Sequence, residues 1–394
     1  MSFDPFGRSP DLAALVDHGF ELKLTSTGNL LVKGVPYLDD RGQVALGTIV
    51  AKIEMNGDVS VNPVQDHVVR FIGSVPYTSQ REVSKIFNSS GDNEIEPGIV
   101  VNHTFSAKPT DGIPYANNFD KITNYVRLLE TEAQVVQPEV TARMYRPCEI
   151  DHAEWPFEYV DSASGRAGIG ALSWKLSDEC IAIVGVGGTG SYILDLVAKC
   201  PVREIHIFDG DVFSTHNAFR SPGASSLEEL RVGEFKTEYF QRRYSNMKRN
   251  IASHPYFIDL ANVGELKDVS FVFLAMEGGD RKRIVVQALE SMGKPFIDVS
   301  LGVVRSDERD SLLASVEINT STVENRETFR SKVDLGQVTE DDPYSENIQI
   351  AELNALNASL AVLNWKRMAG IYHRQQAPFH QRLNVAFNRL ISEY

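Results

Sequence analysis

Three glycines at Gly-x-Gly-x-x-Gly spacing, Gly185, Gly187 and Gly190, follow directly on the apolar run Ile181-Ala182-Ile183-Val184. Such a turn does its chemistry with backbone. Missing side chains let N–H groups approach a phosphate closely, and the N-terminus of the next helix, expected from Thr189 to Lys199, adds its positive dipole end. Nineteen residues past Gly190, the strand 204–208 ends in Asp209, where a carboxylate can accept hydrogen bonds from ribose hydroxyls. The elements needed to position these groups are a buried strand, a helix and a second strand, the opening of a doubly wound nucleotide fold. A nicotinamide-dependent oxidoreductase would show the same glycines and the same acidic residue.

The stretch after that strand separates the readings. Asp211 lies two residues beyond Asp209, Asn217 eight and Arg220 eleven, and Gly233-x-x-Lys236 follows. With the doubled Gly187-Gly188, this series resembles the ThiF/MoeB/ubiquitin-activating family over roughly residues 166–371. An oxidoreductase reading leaves Asn217, Arg220 and Lys236 unexplained. The resemblance implies an enzyme that uses ATP and magnesium to adenylate the C-terminal carboxylate of a small ubiquitin-like protein. It assigns Arg220 and Lys236 to the charge that grows on phosphate oxygens, where fixed cations cost little reorganisation. Asn217 would orient the phosphates, Asp209 with Asp211 would hold the ribose, and the Gly187-Gly188 backbone would lie against the nucleotide. Arg166 would be an arginine reaching ATP across a dimer interface, with Arg146 as the alternative.

Family members usually present a magnesium-binding Asp after a later strand. Here the strand 271–275 runs into Met276-Glu277-Gly278-Gly279-Asp280, so Glu277 stands at the expected place and Asp280 competes with it. Either supplies the hard oxygen that magnesium takes alongside water and phosphate. Asp280 also suits the N-cap of a helix starting near Arg281. The departure from Asp keeps a non-catalytic scaffold among the readings.

The chain has three cysteines, Cys148, Cys180 and Cys200, and none beyond residue 200. Ubiquitin-type members place an acceptor cysteine downstream of the magnesium site, so the resemblance implies the simpler MoeB and ThiF branch. The acyl group would then pass to a conjugating enzyme or a sulfur-acceptor protein. Cys180 and Cys200 flank predicted elements as small buried hydrophobes, which leaves Cys148 as the one thiol placed to react. No Cys-x-x-Cys pair is present for structural zinc.

Composition bounds the rest. A 42% hydrophobic and 23% charged chain of 394 residues has material for two or three cored domains. A net charge of −14 without a basic block argues against nucleic acid as main partner. No apolar run reaches the roughly 18 residues of a membrane span, and Met1 to Pro5 carries no export signal; a cytoplasmic setting is expected.

Residues 1–140 read as an α+β recognition domain. Strands are expected at 21–25, 47–53 and 67–72, and helices at 11–18 and 119–132, the latter with Ile122, Tyr125, Val126 and Leu129 on one face. The pattern resembles the N-terminal domain of uncharacterised function on some bacterial ThiF-family proteins from ubiquitin-like operons. His67 and His103 have no second ligand at helical or hairpin spacing and read as core or turn residues. Residues 141–176 read as linker and entry helix, and 177–394 as the adenylation domain. The alanine-rich periodicity of 347–363 predicts a long packing helix, which the resemblance places in a homodimer interface. The fold class expected is α/β: a Rossmann-like ThiF nucleotide-binding domain with a mostly parallel sheet, preceded by a smaller α+β domain.

Overall fold

A computed structural model describes residues 5–56, 59–61, 66–109, 114–167, 169–306, 310–333, 348–373 and 378–394. The chain divides into two compact units, Met1–Ala171 and Leu172–Tyr394.

In the first unit, alternating apolar residues build a seven-stranded sheet. Its strands are β1 (Glu21–Leu24), β2 (Asn29–Leu38), β3 (Val44–Lys52), β4 (Val68–Ile72), β5 (Phe87–Glu96), β6 (Ile99–Ser106) and β7 (Glu149–Ile150), in the spatial order β5-β6-β4-β3-β2-β1-β7. Neighbours are antiparallel except β1 and β7, which pair in parallel through Lys23 with Glu149 and Leu24 with Ile150. The stretch around Glu149 thus adds a strand to the sheet. The two longest helices of this unit are α1 (Pro10–Asp17) and α2 (Asn118–Val136). Asn117 caps α2 by accepting the Asp120 amide at 2.8 Å, and Ile122, Tyr125, Val126 and Leu129 are buried.

In the second unit, Cys180–Val184 (β8) is buried at every position, as a strand covered on both faces must be. Its alternation sends Ile181 and Ile183 into one core and Cys180, Ala182 and Val184 into another. The chain continues through α3 (Gly188–Ala198), β9 (Glu204–Phe208), α4 (Thr215–Ala218), α5 (Lys236–Tyr244), β10 (Ile251–His254), β11 (Phe271–Leu274), α6 (Asp280–Ser291), β12 (Phe296–Ser306), β13 (Ser311–Ser321), α7 (Ala351–Met368), β14 (His380–Asn384) and β15 (Arg389–Glu393). The sheet order is β10-β9-β8-β11-β12-β13-β14-β15. Pairings from β10 to β12 are parallel and those beyond are antiparallel. The chain first winds outward from β8 to β10, then restarts at β11 on the other side of β8. That reversal opens a crevice above the strands' C-terminal ends, where doubly wound sheets bind ligands. Helix α7 begins at Ala351, and its Ala358, Ala361 and Trp365 belong to the same core as α3.

One buried charge makes stability depend on pH. Lys248 is fully buried and donates to the carbonyl of Val202, and burial pushes its ammonium down to about 7. An unfolded lysine titrates near 10.4. Between those values the unfolded chain binds the extra proton, so this group makes stability rise with pH, by at most about 1.4 kcal/mol per unit. Lys248→Met should be the more stable protein at pH 7 and should lose that slope, as read by denaturant midpoints at pH 7, 8 and 9. Parallel pH curves for the two proteins would remove Lys248 as the cause.

Candidate functional site

The end of β8 turns at Gly185, whose φ is +90°. A Cβ there would stand 2.4 Å from the Ala275 carbonyl oxygen after β11, so only glycine lets the two strand ends meet. Gly187 is the N-cap of α3 and provides no side-chain cap. The first-turn amides of this eleven-residue helix therefore face the crevice without a side-chain acceptor. The crevice has a volume of about 710 Å³ and is bordered by Gly185, Gly187, Gly188, Asp209, Asp211, Arg220, Lys236, Glu277 and Asp280. Nine of the residues singled out from sequence thus converge on one cleft.

Asp209 is 6% exposed, and its carboxylate ties the cleft together. One oxygen accepts the Val186 amide at 3.0 Å and the other the Asp211 amide at 3.0 Å. Lys236 Nζ lies 3.4 Å from Asp209 and 2.6 Å from Asp211. A carboxylate offers about four acceptor positions, so Asp209 retains capacity for a ribose hydroxyl while fixing the glycine turn. Lys236 is itself buried, and its amide donates to the Asp211 carbonyl at 2.9 Å.

Asn217 stands behind the cleft wall. It is buried and does not border the cleft. Its Oδ1 accepts the Ser214 amide at 3.0 Å, closing a capping box on α4, and its carbonyl accepts the Arg220 amide at 3.1 Å. Asparagine is needed here to shape the turn that presents Arg220. The Arg220 guanidinium is half-buried, and its Nε has no hydrogen-bond partner among the described residues. Burial lowers its pKa, opposed by Glu277, Asp209 and Asp211. Burial and the charges of Arg220 and Lys236 also push His216 below the usual imidazole range.

The two carboxylates after β11 differ. Asp280 opens α6 and is bound by Arg283 at 2.6 Å in an exposed pair, while Gly279 takes the N-cap position. Glu277 interacts with Arg220. Arg166 belongs to the short helix Ser162–Arg166, and its side chain lies outside the described residues. Arg146 is exposed and reaches Glu21 at 3.3 Å.

Several cleft residues escaped the sequence reading. Lys282, two residues into α6, borders the cleft and pairs at 2.6 Å with Asp298 of β12. Both are buried, and burial raises the Asp298 carboxyl against the pull of Lys282. From α7, Asn354 accepts the Thr189 hydroxyl at 2.8 Å and donates to the Arg220 carbonyl at 3.4 Å. One buried amide thereby links the start of α3 to the arginine turn. Gln349 borders the cleft beside Gly188.

Cys148, the one candidate for a reactive thiol, is not presented for reaction. All three cysteines are buried, and burial raises each thiol's pKa. Cys148 is 5% exposed and donates to the Phe20 carbonyl at 3.4 Å.

The glycine turn, the Asp-x-Asp and the lysine beneath it coincide with a family match: the ThiF family model covers residues 167–309. The chain carries a ThiF-family domain. Residues 10–162, ahead of this ThiF-family domain, match a second family, described as a domain of unknown function, DUF6791. Among curated proteins, ubiquitin-like modifier-activating enzyme 5 of Oryza sativa subsp. japonica is 24% identical over 195 residues, 44% of each protein. The matched region is thus less than half of that relative's length. Solved structures similar to part of this chain include E. coli MccB with ATP, at 15% identity and TM-score 0.43, covering 59% of this chain and 68% of that one. PaaA matches at 16% identity and TM-score 0.42, covering 56% and 65% respectively. No helix among the described residues is long and apolar enough to cross a membrane.

Proposed function

We propose that this protein adenylates the C-terminal carboxylate of a ubiquitin-like protein, using ATP and magnesium. The observation that carries the reading is the half-buried Arg220. Among the described residues its Nε lacks a partner, in a wall shared with Lys236, Lys282 and the uncapped start of α3. Buried donors of this kind call for an anionic ligand. A triphosphate brings the charge, and the surrounding Asp209, Asp211 and Glu277 suit a ribose and a hard cation.

In the proposed reaction a carboxylate oxygen of the substrate bonds to the α-phosphorus, the bond from that phosphorus to the bridging oxygen breaks, and pyrophosphate leaves with the electron pair. Arg220 and Lys236 hold the phosphate oxygens on which charge accumulates. Asp209 keeps Lys236 and the glycine turn in register, and Asn217 and Asn354 hold the Arg220 turn. Glu277 would hold the magnesium, which neutralises phosphate charge when bound. The buried state of the three cysteines supports direct transfer of the acyl group to an acceptor on a partner, a conjugating enzyme or a sulfur-acceptor protein.

Labelled pyrophosphate should enter ATP only when a ubiquitin-like substrate is supplied. Glu277→Gln should cut that exchange by about 10²-fold, the scale of one lost transition-state charge contact. Asp280→Asn should change it less than about threefold, because Arg283 already occupies that carboxylate. The reverse order would move the metal to Asp280. Calorimetric binding of NAD in place of ATP, without exchange, would favour the oxidoreductase reading.

A further inference from the structure

A second cluster lies at the opposite ends of the same strands. Cys180 opens β8, Glu204 opens β9 directly across from it, and His206 follows two residues on along the same face. Their ligating atoms all lie within 4.8 Å of one another. His206 Nε2 stands 3.3 Å from Glu204 Oε1, and Cys180 Sγ stands 4.0 Å from Glu204 Oε2. Around a tetrahedral zinc with ordinary Zn–N, Zn–O and Zn–S bonds, ligand atoms are separated by about 3.3–3.8 Å. Binding would draw the most widely spaced of these atoms inward by about 1 Å.

The protons behind this cluster point the same way. Tyr256 donates its hydroxyl proton to Glu265 at 2.7 Å. Its oxygen is then the acceptor for His254 Nδ1 at 2.9 Å, which makes His254 Nε2 the acceptor for His206 Nδ1 at 3.0 Å. With Nδ1 held by His254, the ring turns His206 Nε2 toward the Glu204 carboxylate, so the two ligating groups face one another. An imidazole whose far nitrogen is fixed by a hydrogen-bonded partner is also how proteins orient metal-ligating histidines. Phe208, stacked on His254 at 4.1 Å, holds that second histidine in place.

We infer that Cys180, Glu204 and His206 form a binding site for a divalent transition metal such as zinc, with His254 as the residue that orients the ligand His206. The mix of thiolate, imidazole and carboxylate selects against magnesium and calcium, which prefer oxygen alone. Glu204 and His206 are partly exposed, so the ion has an entry path and an open fourth position for water. Lying at the strand ends away from the nucleotide crevice, the ion would cross-link β8 to β9 without sharing ligands with the cleft. Binding would release the Cys180 proton to solvent, so uptake consumes no oxidant or reductant.

Cobalt(II) serves as the probe, added to the full-length, metal-stripped protein without nucleotide. One equivalent per chain should produce visible d–d bands together with a thiolate-to-cobalt band in the near ultraviolet, and zinc should bleach both. Cys180→Ser should remove the thiolate band although Cys148 and Cys200 remain. The partly exposed Glu204→Gln changes no core residue and should weaken binding if Cys180→Ser fails to fold. His254→Gln should lower affinity about 10–100-fold, the usual loss for a partner behind a ligand. Absence of both bands at one equivalent, or a thiolate band that survives in Cys180→Ser, would overturn the site.

Discussion

Lys236→Ala is expected to lower substrate-dependent pyrophosphate exchange by 10²–10³-fold or more, the scale measured when one preorganised donor is removed from a transition state. The expectation follows from where the ammonium is held. Lys236 is 5% exposed and sits between Asp209 at 3.4 Å and Asp211 at 2.6 Å, so it is already desolvated and oriented before substrate arrives. Removing it also leaves two carboxylates beside the glycine turn without their cation, which opposes entry of a polyphosphate. A structural cost accompanies this loss. Deleting one member of a buried pair can cost about 3–5 kcal/mol, but Asp209 keeps two amide donors and the Asp211 side chain is 58% exposed, so the cost here should lie well below that range. Melting temperature separates the two contributions, since a folded variant with lost exchange locates the effect in the reaction. Arg220→Ala should behave similarly, and the double variant should lose less than the sum of the two, because both side chains face one ligand. Exchange by Lys236→Ala within about threefold of the unsubstituted protein would remove this lysine from the chemistry.

What could be read in advance was local. An unbroken apolar run ending in glycines specifies a buried strand and a tight turn together, and Asp209 follows at the distance that one helix and one strand impose. The N-terminal helix face of Ile122, Tyr125, Val126 and Leu129 was legible for the same reason, since its period needs no partner to be seen. Functions that depend on strand register were hidden. Cys180 alone looks like a small apolar residue; only its pairing with Glu204 brings thiol, carboxylate and imidazole together. Lys282 belongs to a cationic helix start of ordinary appearance, and its burial follows from meeting Asp298 on the neighbouring strand. Asn217 carries two signals at once. Its position suits a phosphate ligand, yet an asparagine three residues after Ser214 also completes a capping box, and the fold uses it that way. The periodicity of α7 marked it as a packing helix, but Asn354, one of its three buried asparagines, couples two walls of the cleft, which apolar patterning cannot reveal.

Gly190→Ala should abolish nucleotide binding and destabilise the second unit, although alanine is the better helix former by about 1 kcal/mol. An added Cβ at Gly190 would stand 1.8 Å from the Gly185 carbonyl oxygen, 2.9 Å from the carbon of that carbonyl and 3.1 Å from Ala275 Cβ. The first two are backbone atoms of the glycine turn, so no side-chain rotation relieves the overlap. Either α3 lifts from β8 or the turn opens. Lifting α3 strains the packing of Ile193, Leu194 and Val197, all fully buried in the core it shares with β8. Overpacking of this kind costs about 1–3 kcal/mol, and more where backbone must move. Gly187→Ala is the matched control, because no atom of the described residues lies within 4 Å of its added Cβ. That variant should melt within about 1 kcal/mol of the unsubstituted protein in unfolding free energy, yet bind ATP more weakly, since the new methyl occupies the space where a phosphate would approach. Melting curves and ATP calorimetry on the pair should therefore separate, with both properties lost at 190 and only binding reduced at 187. Equal stability of the two variants would mean that the close approach of Gly190 to Gly185 is not what holds α3 against β8.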